Sequence, residues 1–181
     1  MGDAQSAWTL LRDSELVASA EEVHAAVRRL AAEIERALGA RYPLVLVVMG
    51  GAVVFAGQIL PLLRFPLEVD YVHASRYGDA TEGASVQWRV RPSDEVKGRT
   101  VLILDDILDH GETMNTIRNL LLQLGAASVQ CAVLVEKTLA MQKPIKPDFV
   151  GLKIPNRFVF GCGMDVKGCW RNLPEIRAMK S

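Results

Sequence analysis

Apolar residues recur at helical spacing through Val23, Val27, Leu30, Ile34 and Leu38, so they wind into one stripe along a helix. Ser19 followed by Glu22 makes a capping box before that stripe, and Gly39 closes it. Leu44 to Met49 is an unbroken apolar run, the pattern of a parallel strand covered on both faces. Gly50-Gly51 predicts a turn, and a helix follows to about Leu63. Leu67, Val69 and Tyr71 alternate with polar neighbours, as do Val86, Trp88 and Val90, and both segments read as strands. Between them Ala74 to Gly83 is polar and glycine-containing, a loop long enough to move. Thr100 to Leu104 reads as a further strand, and Ile117, Leu120, Leu121 and Leu124 share a face of a helix that stops at Gly125. Val129 to Val135 is another strand, followed by a loop with Pro144 and Pro147. Phe149 to Ile154 and Phe158 to Phe160 read as short terminal strands in a small appended segment. No internal repeat or low-complexity tract interrupts this order. Strands alternating with helices predict an α/β fold, a mostly parallel central sheet flanked by helices on both faces.

Composition narrows the picture. A chain of 181 residues fits a single domain, 1–181, that buries roughly two-thirds of its unfolded surface. Basic and acidic residues balance at 21 each, so no global field draws nucleic acid, and any anion must be held by local groups. Leu44 to Leu63 is long and apolar enough to cross a bilayer, but Gly50-Gly51, Gly57, Gln58 and Pro61 break it, and no membrane partner is expected. No basic start with a following apolar run marks a secretory signal near the N-terminus. The three cysteines, Cys131, Cys162 and Cys169, are an odd number without a Cys-x-x-Cys pair, which favours a reducing cytoplasm over a disulfide framework. Their spacing matches no zinc pattern, and buried unreactive thiols are the simpler expectation.

The chemistry concentrates in Val101 to Thr113, where an apolar strand runs into Asp105, Asp106 and Asp109 and then opens a helix at Gly111. A buried strand that ends in acids and turns into a helix is where an open α/β sheet places its ligand. The helix start suits a phosphate, and the acids suit sugar hydroxyls and magnesium. Together these point to a phosphorylated ribose. No Gly-x-Gly-x-x-Gly or P-loop sequence offers a different nucleotide site. Read alone, Asp109 also suits a helix N-cap, Lys137 a snorkelling surface lysine, and Phe158 a core aromatic.

Ile103-Leu-Asp-Asp-Ile-Leu-Asp-His-Gly-Glu-Thr113 resembles the 5-phosphoribosyl-1-pyrophosphate (PRPP) motif of type I phosphoribosyltransferases. Val48-Met-Gly-Gly, Val69-Asp-Tyr-Val-His-Ala-Ser-Arg-Tyr, Leu134-Val-Glu-Lys, Lys146-Pro-Asp-Phe-Val-Gly, Ile154-Pro-Asn-Arg-Phe-Val and Gly163-Met-Asp resemble its hypoxanthine-guanine branch in order. The resemblance implies the fold of that family, with a small hood formed by the N-terminal and C-terminal segments. It implies that Asp105 and Asp106 hold the ribose hydroxyls directly or through Mg²⁺, and that Asp109 is the general base near purine N7. It implies a 5′-phosphate cradle from His110, Gly111, Glu112 and Thr113, and close approach of Gly50 and Gly51 to pyrophosphate. Lys137 would donate to the 6-oxo group, Phe158 would stack on the base, and the Val159 carbonyl would accept from it. Asp165 would ligate a magnesium ion, and Arg171 would contact pyrophosphate.

Three positions depart from the family pattern: Met49 where a lysine is usual, Arg76 where the hood normally has Ser-Tyr, and His110 where threonine is usual. Arg76 is expected to replace the charge lost at Met49 when the loop from Ala74 to Gly83 closes over the PRPP. His110 is expected to keep a backbone role, with stronger phosphate binding below its ordinary pKa of about 6.5. The resemblance implies phosphoribosyl transfer from PRPP to a 6-oxopurine, hypoxanthine or guanine, by a homodimer or homotetramer. A xanthine-preferring relative and a catalytically weak PRPP-sensing regulator of the same fold are the alternatives.

Overall fold

The computed structural model describes residues 3–76 and 86–180, the side chains of Ser75 and Arg76 excepted. Its main sheet is assembled from β2 (Leu44–Met49), β3 (Glu68–Arg76), β4 (Val86–Val90), β5 (Thr100–Leu108), β6 (Ser128–Thr138) and β7 (Phe149–Pro155). Their order is β4-β3-β2-β5-β6-β7, and every pairing is parallel except that of β3 with β4. The helices are α1 (Ala4–Arg12), α2 (Ala20–Leu38), α3 (Val53–Ile59) and α4 (Glu112–Gln123). In the centre, Val101, Leu102, Ile103 and Leu104 are all fully buried, so both faces of β5 are covered. A smaller antiparallel sheet joins β1 (Ser14–Ala18), β9 (Ile176–Met179) and β8 (Val159–Phe160) in the order β1-β9-β8.

The amphipathic stripe of α2 is buried as expected, and the capping box forms with both of its reciprocal hydrogen bonds. Leu44 to Leu63 is the strand β2, a glycine turn, α3 and a short 3₁₀ turn, and no described helix is long and apolar enough to cross a membrane. The helix after the acids buries Met114, Ile117 and Leu121, while Leu120 and Leu124 are only partly covered.

Three expectations are corrected. First, β7 belongs to the main sheet, not to an appended segment. It pairs in parallel with β6 from Ala132↔Phe149 to Thr138↔Pro155. The helix α2 packs against β7, Leu30 lying close to Gly151, and Arg29 donates to the Val150 and Gly151 carbonyls. Second, β5 and β6 outlast their apolar runs. Asp105, Ile107 and Leu108 pair with Val133, Val135 and Glu136, so both acid–apolar and apolar–acid alternations are carried on the ladder. Third, β3 extends through Ala74, Ser75 and Arg76, where a loop was expected, and residues 77–83 of that loop lie outside the described residues.

Candidate active site

The C-terminal ends of β2, β5 and β6 converge on one side of the sheet. At the end of β2 the Met49–Gly50 peptide bond is cis. The two glycines that follow differ sharply in their surroundings. A Cβ on Gly50 would meet nothing within 4 Å, whereas one on Gly51 would come within 2.6 Å of the Asp106 Cγ. Gly163, at φ +105°, packs so closely that its Cβ would strike the Gly51 carbonyl. Gly51, Asp106 and Gly163 therefore interlock, and only residues without side chains fit at the two glycine positions.

Asp105 and Asp106 follow one another on β5. The Oδ1 of each accepts from the next backbone N–H, Asp106 N at 3.0 Å and Ile107 N at 2.8 Å. Burial pushes the Asp105 carboxyl well above the usual carboxylate range, and the neighbouring Asp106 charge adds to it. Asp106 is also raised by burial, against the lowering effect of its hydrogen bonds and of Arg171. The pair is thus a buried anionic site that gains from a hard cation or from hydroxyl donors.

Asp109 leaves the last residue of β5 and meets Lys137 from β6, with Nζ donating to Oδ2 at 2.6 Å. Lys137 is only 8 % exposed, so it is not a snorkelling surface lysine. The other carboxylate oxygen, Asp109 Oδ1, is buried and accepts no hydrogen bond, while His110 Nδ1 stands 3.3 Å from it. Asp109 does not cap α4 either. The N-cap is Gly111 at φ +87°, with no side chain to bond the first turn. The first-turn residues Glu112, Thr113 and Met114 line the cavity in front of the acids, where helix-start amides offer donors to an anion.

Two cavities open here. The larger, about 390 Å³, is bounded by Met49 to Gly51, by Asp105 to Met114 and by Arg171. The smaller, about 210 Å³, is bounded by Lys137, Phe158, Val159, Met164 and Asp165. Asp106, Ile107, Asp109 and Arg171 line both and form their common wall. Every site residue expected from the sequence except Arg76 lines one or the other. The Arg76 side chain lies outside the described residues, and the expected charge exchange with Met49 lies there with it. Phe158 is 57 % exposed, and Val159 next to it is buried. Asp165 pairs with Arg171 at 2.5 Å and accepts from Gly168 N at 2.7 Å, while Arg171 also donates to the Gly163 carbonyl at 2.6 Å.

Sequence pattern alone missed His73, which pairs across from Met49 in the β2–β3 ladder and lines the larger cavity. It also missed Lys143, a lysine in a proline-bounded loop with no motif to mark it. Among the described residues, no three His, Cys, Asp or Glu side chains cluster as a metal site would. All three cysteines are free thiols; Cys131 and Cys162 are buried and Cys169 is partly exposed.

A sequence profile of the phosphoribosyl transferase domain matches residues 17–167. Hypoxanthine-guanine phosphoribosyltransferase of Bacillus subtilis is 33 % identical over 163 residues, which are 90 % of this chain and 91 % of that one. The enzyme of the same name from Lactococcus lactis is 32 % identical over 91 % of this chain and 90 % of its own. Among solved structures, a hypoxanthine phosphoribosyltransferase of Staphylococcus aureus superposes with a TM-score of 0.85 at 29 % identity, covering 95 % of each chain.

Proposed function

The chain belongs to the phosphoribosyltransferase family, and from that premise we propose a purine-salvage reaction. It transfers the 5-phosphoribosyl group from PRPP to hypoxanthine or guanine, giving IMP or GMP and pyrophosphate. The observation that carries this reading is Asp109 on the common wall of the two cavities. One of its oxygens is held by Lys137, and the other is buried without a hydrogen bond. A purine N–H entering the smaller cavity would give that oxygen a donor.

The roles then divide along the wall. Asp109 takes or shares the purine N7 proton, which makes the attacking ring nitrogen a better nucleophile toward the anomeric carbon as the bond to pyrophosphate breaks. Lys137 orients Asp109 and donates to the 6-oxo group, Phe158 stacks on the ring, and the Val159 carbonyl accepts from the base. Asp105 and Asp106 accept from the ribose hydroxyls. The start of α4, from His110 through Thr113, cradles the 5′-phosphate. Gly50, Gly51 and Arg171 receive the pyrophosphate. Catalysis is mainly positioning and charge stabilisation of an oxocarbenium-like sugar.

Magnesium fits this donor set. Two adjacent buried carboxylates with raised pKa values are relieved by a cation, and Mg²⁺ commonly takes only one or two protein carboxylates alongside phosphate oxygens. Asp105 and Asp106 would hold one ion and Asp165 a second, and magnesium when bound balances the charge of the departing pyrophosphate. The small β1-β9-β8 sheet, which joins segments from the two ends of the sequence, is the hood over the base. We place the protein in a reducing cytoplasm, as a homodimer or homotetramer that covers the exposed Val69 and Tyr71 of β3.

Ultraviolet turnover assays with PRPP, Mg²⁺ and each 6-oxopurine test the reading. Product is expected with hypoxanthine or guanine. Product with xanthine alone would move the assignment to the xanthine-preferring relative. PRPP binding with no product from any base would make the protein a regulator instead. Asp109→Asn is expected to lower kcat by about 10²- to 10⁴-fold, the usual range for a lost general base. Unimpaired turnover would remove Asp109 from that role.

A further inference from the structure

Lys143 lies in the loop after β6, and its side chain is only 10 % exposed. An ammonium that far from water needs partners for its three N–H donors. Two of them go to backbone carbonyls: Leu108 O at 3.1 Å and Lys137 O at 2.6 Å. The third direction is met by the Glu136 carboxylate at 3.6 Å. These are not arbitrary acceptors. Leu108 is the last residue of β5, directly before Asp109, and Lys137 is the residue whose own side chain bonds Asp109. Leu108 and Glu136 are also the last pair of the β5–β6 ladder, so beyond this point no strand pairing holds the two chains in register. The stem of Lys143 serves a third segment as well. A Cβ on Gly111, the N-cap of α4, would stand 3.7 Å from the Lys143 Cβ and 3.1 Å from Ile145 Cγ2.

We propose that Lys143 is a positioning residue that fixes the Asp109–Lys137 pair against the start of α4. The ammonium bridges the two strand ends where the ladder stops, and a closed circuit results. It runs from Lys143 Nζ to the Leu108 carbonyl, through Asp109 to the Lys137 ammonium, and back through the Lys137 carbonyl. Removing the ammonium takes a donor from the Leu108 and Lys137 carbonyls and leaves the Glu136 carboxylate without its nearest cation. The backbone at Leu108 and Lys137 then reorients toward water, and the carboxylate and the ammonium that face the base shift together. The phosphate side is held by the α4 amides and is disturbed less. The inference rests on the reading of Asp109 and Lys137 given above.

Lys143→Met keeps the apolar stem and removes the donors; Lys143→Arg keeps the charge and the donors. The expected result for Lys143→Met is a fall in kcat of about 10- to 100-fold with a raised KM for the purine, and a KM for PRPP within about twofold of the parent. Lys143→Arg recovers most of the loss. Hydrogen exchange of the ligand-free protein provides a readout that needs no turnover, with faster exchange of the amides at 109–111 and 138–139 in Lys143→Met and parental rates in Lys143→Arg. Parental kcat and parental exchange in a folded Lys143→Met protein overturn the proposal. Faster exchange with parental kcat also overturns it, because the clasp would then be structural alone. If the parent turns over no purine, the functional reading fails separately, and exchange at those amides still decides whether the clasp holds the pair.

Discussion

Asp105 and Asp106 stand side by side on β5, each ionising less readily than a free aspartate because it is shut away from water. The unfolded chain has no such burial, so the native pKa values lie above the unfolded ones. Stability from these groups is therefore fully present below an unfolded carboxylate pKa of about 3.9 and is lost as pH rises through the raised native values. Asp105→Asn removes the more strongly raised of the two and keeps an oxygen for the Asp106 amide. The ligand-free variant is expected to melt above the parent at pH 8, with the difference closing toward pH 4, while its turnover falls. Thermal denaturation followed across that range checks the sign, and a variant that melts below the parent at pH 8 would contradict it. The identity of these residues was legible in the sequence because an apolar run into paired acids has few other uses. What the sequence concealed was which partners exclude the simpler roles. The N-cap reading of Asp109 fails only because Gly111 is the cap, and the surface reading of Lys137 fails only because Asp109 waits beside it.

Elements were legible where burial imposes a period. The stripe on α2 and the run in β2 each follow one face or both faces of the core, and the structure reproduces their limits within a residue. Strand ends were less visible, because hydrogen-bonded pairing continues past the last apolar residue in β5 and β6 and leaves no mark in hydropathy. The helix α1 was missed for a related reason: it buries no residue, so it carries no core-facing stripe. It is held instead by aromatic contact. Trp8 meets Trp170 edge to face with ring centroids 5.0 Å apart, and Trp170 Nε1 donates to the Ala7 carbonyl at 2.8 Å. Trp170 precedes Arg171, so α1 steadies the segment that brings Arg171 to the common wall. Trp8→Ala forfeits an aromatic pair worth about 1 kcal/mol, which corresponds to a melting point lower by about 2–4 °C. A modest rise in the PRPP KM is expected with it, measurable by initial rates; an unchanged melting point would show that α1 is not anchored through this pair.

At the scale of the molecule, alternation of strands and helices sufficed for a mostly parallel sheet flanked by helices, and the resemblance of several motifs in sequence order sufficed for the family. Neither disclosed that β7 completes the main sheet, and the alternation carried no sign that β1 and β9, far apart in sequence, pair in a second one. Long-range pairing of this kind depends on which edges remain uncovered, a property of the assembled core and not of any window. The same core sets the fate of the thiols. Burial pushes Cys131 and Cys162 up to about 12 each, and Cys169 alone is partly exposed. A disulfide reagent at pH 8 is therefore expected to react promptly with one thiol per folded chain and with three after denaturation. Prompt reaction of two or three in the folded protein would contradict that burial.

Cys169 stands four residues after Asp165 and two before Arg171. A single environment-sensitive dye coupled there, without any cysteine being engineered in or out, turns the segment into an optical gauge. Its emission would follow substrate arrival and product departure at the common wall in real time, separating those steps from chemistry in a stopped-flow trace.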